Sequence, residues 1–465
     1  MKNKKNKETK KIGKKLGEEK KEEQKKEEHK EEKAKKAAME ISVKEGATSS
    51  ASAAFGDSYI TPYIIAAGAT PSQIAALTAI PNLFAPLSQL ATPQLMEKQG
   101  RKKIVLKGVA AQLIIWLPIT ATIPLFLSGA RFVPLLLISL WTIYALFGNL
   151  VAPAWNSWMG DIVTEERGKY FARRSAMCEA VLLCLTLITA IMLDFGKKKG
   201  LLFFMFGTFF LLAFITRLFS LRLLRRQYEP PLKLEKGYYF SFFSFVKRMR
   251  ANNFGKFVLF RISFAAAVQL AAPFFAVYML KELRLSYLFY IAIAIAMPLA
   301  VHIATWPAWG KFSDKYGNIR TLRICCALAA LYPFLWLPSR NPYYLLFVPT
   351  VVSGIAWAGI NLATANFIFD AVTPQRRSLC FAYFSVLVGI AVAIGATIGG
   401  WLVKLPLTFN IFLFLFALSG IARFATTALL LPEVKEVRPV ADGRPLFQHS
   451  FRFAFFQKAE RERQK

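Results

Sequence analysis

From Thr48 to about residue 431 the chain is a succession of apolar runs, each roughly 18 residues or longer and separated by short basic interruptions. A helix rises about 1.5 Å per residue, so a run of this length spans the hydrocarbon core of a bilayer. Twelve runs are present, at 48–69, 73–95, 104–127, 132–158, 175–195, 201–221, 257–280, 285–309, 321–338, 342–369, 379–403 and 406–431. They are unbroken rather than alternating, which excludes a β-barrel. Pro62, Pro81, Pro86, Pro118, Pro273 and Pro298 fall inside them; packed membrane helices tolerate proline because neighbouring groups satisfy the freed carbonyls. The expected fold class is an all-α polytopic membrane protein of twelve transmembrane helices, with the lipid bilayer as its surroundings.

The formal net charge of +32 would suggest nucleic acid as a partner if it were spread over a soluble surface. It is not spread. Residues 1–45 alone hold 17 Lys and 11 Glu, a composition expected to form a solvated tail, either disordered or a lone charged helix. Loops after even-numbered runs carry 24 Lys and Arg against eight in the others, and the positive-inside rule then places both termini in the cytoplasm. Lys197, Lys198 and Lys199 are the local exception. The charge is a topology signal, and no nucleic-acid partner is expected. Residues 1–45 lack a small-residue cleavage site, so the first run is expected to act as its own insertion signal.

Chemistry on covalent bonds has no visible machinery. Gly310-Lys311 continues as Phe312, so no phosphate-binding loop forms there, and HExxH and GxSxG are absent. His29, His302 and His449 are scattered, and the five cysteines all lie in or beside apolar runs. Neither a metal centre, a structural disulfide nor a cofactor is expected, and the chain does not read as an enzyme.

An internal repeat organises the runs. Residues 161–167 read Asp-Ile-Val-Thr-Glu-Glu-Arg and residues 370–376 read Asp-Ala-Val-Thr-Pro-Gln-Arg. After the second run comes Pro93-Gln-Leu-Met-Glu97-Lys-Gln-Gly100-Arg101-Lys-Lys103, and after the eighth Gly310-Lys-Phe-Ser-Asp314-Lys315-Tyr-Gly317-Asn-Ile-Arg320. An acid, a lysine, a glycine and a basic end thus return six runs later. The expected organisation is a charged tail (1–45), a first six-helix bundle (46–221), a cytoplasmic linker (222–256), a second six-helix bundle (257–431) and a second cytoplasmic tail (432–465). Within the linker, the aromatic and basic stretch Tyr238–Arg250 reads as a helix lying on the membrane surface.

With these motifs the chain resembles the major facilitator superfamily of secondary transporters over roughly residues 48–431. The two tight loops look like the family signature G-x-x-x-D-[RK]-x-G-[RK]-[RK]. Gly310, Asp314, Lys315 and Gly317 give the better copy, while the first places Pro93 and Glu97 where the family has Gly and Asp. The resemblance implies that these loops brace the cytoplasmic side, with Glu97, Gly100, Arg101, Gly310, Asp314, Lys315 and Gly317 as gating residues. Asp161, Arg167, Asp370 and Arg376 fall in the matching acid-to-basic segments. The fourth run lacks the embedded Arg of many proton-coupled members, and the fifth lacks the Gly-Pro signature of drug–proton antiporters.

Among the twelve acids of residues 46–431, Asp57 stands nine residues into the first run, at a depth where an ionised carboxylate costs several kcal/mol unless paired or protonated. It is the candidate proton-coupling group; the bland reading is a carboxylate held by Ser58, Tyr59 or a neighbouring helix. Glu179, one turn into the fifth run, is expected to pair with Arg173 or Arg174. Tyr63, Trp116, Asn149, Gln269, His302, Trp357 and Asn361 place ring, hydroxyl and amide groups within the runs and are candidate cavity residues. No Arg or Lys reads as clearly central, so a mostly apolar cavity is expected, ill suited to a multiply charged anion. The function read from the sequence is secondary transport of a small solute by alternating access, coupled to protons through Asp57, in a monomeric carrier. An uncoupled facilitator, a multidrug efflux carrier and, more distantly, a non-transporting receptor or scaffold on the same fold are the alternatives.

Overall fold

The computed structural model describes residues 2–163, 167–231, 242–247, 249–372, 377–406 and 409–437. Among them there is no strand. The helices are α1 (Lys2–Phe55), α2 (Asp57–Ala66), α3 (Pro71–Ser88), α4 (Thr92–Gln99), α5 (Arg101–Leu127), α6 (Val133–Ile162), α7 (Arg167–Lys198), α8 (Leu202–Arg226) and α9 (Phe242–Lys247). There follow α10 (Asn253–Gln269), α11 (Ala272–Val277), α12 (Tyr287–Ile291), α13 (Met297–Tyr316), α14 (Asn318–Leu331), α15 (Pro342–Phe347), α16 (Pro349–Ala371), α17 (Arg377–Leu402) and α18 (Ile411–Leu430). Eleven of the resulting segments are long and apolar enough to cross a membrane. The first of the twelve expected spans is the remaining one: it is rich in Ser and Thr, carries Asp57, and is broken at Gly56 between α1 and α2.

The expected boundary between tail and bundle at residue 45 does not coincide with a structural one. Straight-chain Lys and Glu favour helix, and the i,i+4 pairs Glu31–Lys35 (2.9 Å) and Glu32–Lys36 (2.6 Å) support it, so α1 continues unbroken from the charged segment into the bundle. Ala38, Ser42 and Glu45 are already buried, in the face of α1 that packs on α7 and α8. Small residues there let the backbones approach closely. Glu45 accepts from Arg174 (3.2 Å) and from the Ser220 hydroxyl (2.8 Å), while the Tyr170 hydroxyl donates to the Met39 carbonyl. Arg174 therefore pairs with Glu45 and not with the expected Glu179.

The two halves repeat in detail at the end bearing the basic loops. Gly100 and Gly317 join α4 to α5 and α13 to α14 with φ of +79° and +89°, a backbone that a side chain would strain. The next residue in each half reaches the acid ending the fourth or tenth span: Arg101 donates to Asp161 (2.5 Å) and Asn318 donates to Asp370 (2.9 Å). One residue later the helix-start N–H is capped by an acid that follows the sixth or twelfth span. Lys102 N–H donates to Glu229 (3.0 Å) and Ile319 N–H to Glu436 (2.8 Å). Arg376 lies outside the described residues, as do the side chains of Glu97 and Arg167.

The halves meet where α3 packs along α17 and α7 along α12. Hydrogen bonds join them at the end opposite the basic loops. Asp194 of α7 caps α12, accepting from the N–H groups of Tyr287 (2.7 Å) and Leu288 (2.8 Å). Lys281 donates to the Ala69 carbonyl (2.6 Å) and Ser72 to the Gly400 carbonyl (3.3 Å). Of the expected surface helix, residues 242–247 are helical, with the Phe242 and Phe245 rings against Tyr383 of α17 and Phe243 exposed. Residues 232–241, 248 and 438–465 are outside the described residues.

Candidate functional site

Helical irregularities shape a cavity between the two halves. Pro273 and Pro298 lack an N–H, so each opens the helix that carries it. The seventh span is interrupted between α10 and α11 at Leu270 and Ala271, then widens into a π turn at Tyr278–Glu282. The eighth span carries a second π turn at Ala292–Ala296, directly before Pro298. Such turns re-aim side chains and recur at functional sites. Here they flank a cavity of about 720 Å³, within the size range of small-molecule sites.

Most of the wall comes from the second half: Gln269, Phe275, Tyr290, His302, Trp336 and Trp357, with Thr350, Ser353 and Arg423. The first half contributes Thr61, Ile74, Thr78 and Leu182. Gln269 Oε1 and His302 Nε2 are buried and have no hydrogen-bond partner. With the equally unpaired Trp336 Nε1 they are three groups of one aromatic-lined cavity that a polar solute could satisfy. Arg423 is fully buried but committed: it donates to Ser419 Oγ (3.1 Å), the Ala329 carbonyl (2.8 Å) and the Val268 carbonyl (3.4 Å), and lies 6.0 Å from the Tyr332 ring centroid.

Of the seven candidate cavity residues, Gln269, His302 and Trp357 are thus brought together. Tyr63 and Trp116 lie instead in the core of the first half. Tyr63 shares a hydrogen bond with Thr122 (2.8 Å) among Phe203, Phe206 and Phe210, and Trp116 packs on Tyr144 and Phe210. Asn149 accepts from Gln89 (2.8 Å) and donates to the Ala145 carbonyl (3.1 Å), bridging α6 to the second span. Asn361 is exposed on α16.

Asp57 begins α2, immediately after the Gly56 break. A Cβ on Gly56 would collide with the Trp116 ring, so the ring itself fills the space at the break. A helix start favours a carboxylate through its free N–H groups. Asp57 faces the Arg217 guanidinium and the Tyr144 hydroxyl, yet its Oδ1 is buried without a partner. Arg217 is held by Ser49 Oγ (2.6 Å) and by a short hydrogen bond to Gln112 Oε1; Gln112 in turn donates to the Tyr144 carbonyl (3.2 Å). Asp57 and Thr61 are four residues apart and therefore share a helix face, which sets the carboxylate one turn from the cavity wall.

Three basic residues inside the spans, Arg217, Arg261 and Arg423, correct the expectation that none is central. Each stands in an otherwise apolar run, where its charge reads as the end of a span rather than as a buried group. A signal was available for two of them: Arg217 and Arg423 occupy the last helix of their halves at nearly the spacing of the repeat.

The family model of the Major Facilitator Superfamily matches residues 47–339 and 257–459. A protein of Aspergillus terreus described as an MFS-type transporter is 29% identical over 111 residues, which are 24% of this chain and 19% of that protein. The chain thus aligns with about a fifth of that relative's length. Among solved structures, a mutant form of the nucleoside transporter NupG superposes with a TM-score of 0.66 at 14% identity, over 83% of this chain and 99% of that one. The POT family transporter PepTSo gives 0.66 at 11% identity, covering 86% and 98%. A bacterial homologue of the iron transporter ferroportin in an inward-facing state gives 0.59 at 14% identity, covering 85% and 98%. At these identities the likeness concerns the fold.

Proposed function

Because the chain belongs to the Major Facilitator Superfamily, we propose that it carries a small, polar, largely uncharged solute across the membrane by alternating access, with Asp57 binding the coupling proton. The observation that carries this reading is the cavity walled by both halves, with unpaired Gln269 Oε1 and His302 Nε2 in it and Asp57 one helical turn from its Thr61 edge. Its aromatic walls suit a solute with an apolar face, and Arg423, the one arginine among its described lining residues, is already occupied by Ser419 and two carbonyls. The basic loops assign their end of the molecule to the cytoplasm. On this reading the hydrogen bonds joining the halves lie at the external end, as an inward-facing carrier requires. Protonation of Asp57 would remove its attraction to Arg217 within the first half and let α2, which carries the Thr61 edge of the cavity, shift against the second half.

The Arg217 guanidinium facing Asp57 favours one second reading, a permanently ionised pair in an uncoupled facilitator. One sequence of experiments separates them. The purified protein is screened for thermal stabilisation by sugars, amino acids, organic acids, nucleosides and amphiphilic drugs at two pH values. A ligand at about 100 times its dissociation constant adds roughly 2.7 kcal/mol. The hit is then followed in vesicles with an imposed proton gradient. The coupled reading expects uphill accumulation by the wild type, and exchange without accumulation by Asp57→Asn. Equilibration alone by the wild type identifies the facilitator, and undiminished accumulation by the variant removes Asp57 from the mechanism.

A further inference from the structure

The second half holds a charge that nothing described so far uses. Arg261 of α10 is only 8% exposed, and its Nε and Nη1 have no hydrogen-bond partner. Among the described residues no carboxylate pairs with it. Its guanidinium lies 5.9 Å from the Phe264 ring centroid and beside the Cys326 thiol of α14. A desolvated, uncompensated cation costs several kcal/mol, so a site of this kind calls for a counter-charge.

The facing helix carries a second unpaired group. Phe257 of α10 and Phe367 of α16 stack at 4.2 Å, which fixes these helix faces as opposed. The two helices cross the membrane in opposite directions. One turn further from the basic end, α10 presents Arg261, four residues after Phe257, and α16 presents Thr364, three residues before Phe367. Thr364 is also 8% exposed, and its Oγ1 has no partner. A threonine in a helix ordinarily bonds the carbonyl one turn back; this one does not. The unpaired guanidinium, beside the Cys326 thiol, and the unpaired Thr364 hydroxyl thus stand at one level on the opposed faces of α10 and α16, and among the described residues no acid matches them.

We propose that Arg261 and Thr364 form a binding site for a small monovalent anion, of the halide class, inside the second half and separate from the solute cavity. The anion neutralises the guanidinium and accepts its Nε–H and Nη1–H together with the Thr364 hydroxyl. Charge-assisted hydrogen bonds to a desolvated anion are the strong kind.

The test is the melting temperature of the purified full chain at constant ionic strength in sodium chloride, sodium bromide or sodium gluconate. The site predicts a temperature that climbs with chloride or bromide and stays level in gluconate. Arg261→Met, which keeps the apolar stem, should lose the halide response, and Thr364→Val should need about tenfold more halide for the same shift. If Arg261→Met does not fold, the wild-type titration and Thr364→Val still decide. A wild type indifferent to the anion overturns the proposal, as does a full halide response in either variant.

Discussion

The two halves of the molecule are built on one scaffold and charged differently. Both place a positive-φ glycine before the third helix, both send the following side chain to an acid ending the fourth helix, and both cap the third helix with an acid beyond the sixth. Both also use an arginine of the last helix, Arg217 or Arg423, to tie the first and third helices together. The first half fills this scaffold with ions: Arg101, Asp161 and Glu229 at the basic end, and Asp57 opposite Arg217 at depth. The second half uses neutral Asn318 in place of Arg101, satisfies Arg423 with carbonyls, and supplies most of the cavity wall. On the proposed mechanism the duplicated scaffold would let coupling charge and solute recognition be built in different halves, with Thr61 of the first half in the cavity wall.

The largest effect expected from exchanging the two characters is at Arg101, at the start of α5. Arg101→Met removes a fully buried guanidinium that donates to Asp161, to the Ser157 carbonyl (3.0 Å) and to the Pro230 carbonyl (2.9 Å). Asp161 remains partly hydrated, so we expect a loss of about 2–3 kcal/mol in chemical unfolding, below the cost of stranding a fully buried charge. Gly56→Ala comes next. It forces a methyl into the Trp116 ring and should cost about 1–3 kcal/mol by the same measurement, while shifting the helix start that holds Asp57. Asn318→Ala, the counterpart of Arg101 in the second half, should cost about 1–2 kcal/mol, and a loss equal to that of Arg101→Met would erase the proposed asymmetry. Smallest is Glu436→Gln, which keeps a cap on Ile319 N–H but removes its charge; about 0.5 kcal/mol is expected, detectable as a small change in melting temperature.

Much of the scaffold was legible in the sequence because it rests on length and repetition. The apolar runs, the glycine–acid loops and the 161–167 and 370–376 segments each encode one local physical requirement. What the runs could not tell was which way a side chain points. Lipid is as apolar as the interior of a bundle, so membrane helices lack the one-sided pattern that marks a buried face in water. Tyr63 and Trp116 therefore read like Gln269 and Trp357, although only the latter pair reaches the cavity. Glu45 was hidden for a different reason: among 17 lysines and eleven glutamates it looked like one more solvated charge, and only the continuation of α1 buries it. Glu229 and Glu436 were readable as a matched pair once the glycine loops were aligned.

The division of labour between the halves is tested most directly by the melting-temperature shift that the identified solute produces, measured across pH for the wild type, Asp57→Asn and Gln269→Ala. The account predicts that Asp57→Asn keeps the shift but loses its dependence on pH, and that Gln269→Ala loses most of the shift at every pH. A solute response abolished by Asp57→Asn, or left at its wild-type size by Gln269→Ala, would contradict it.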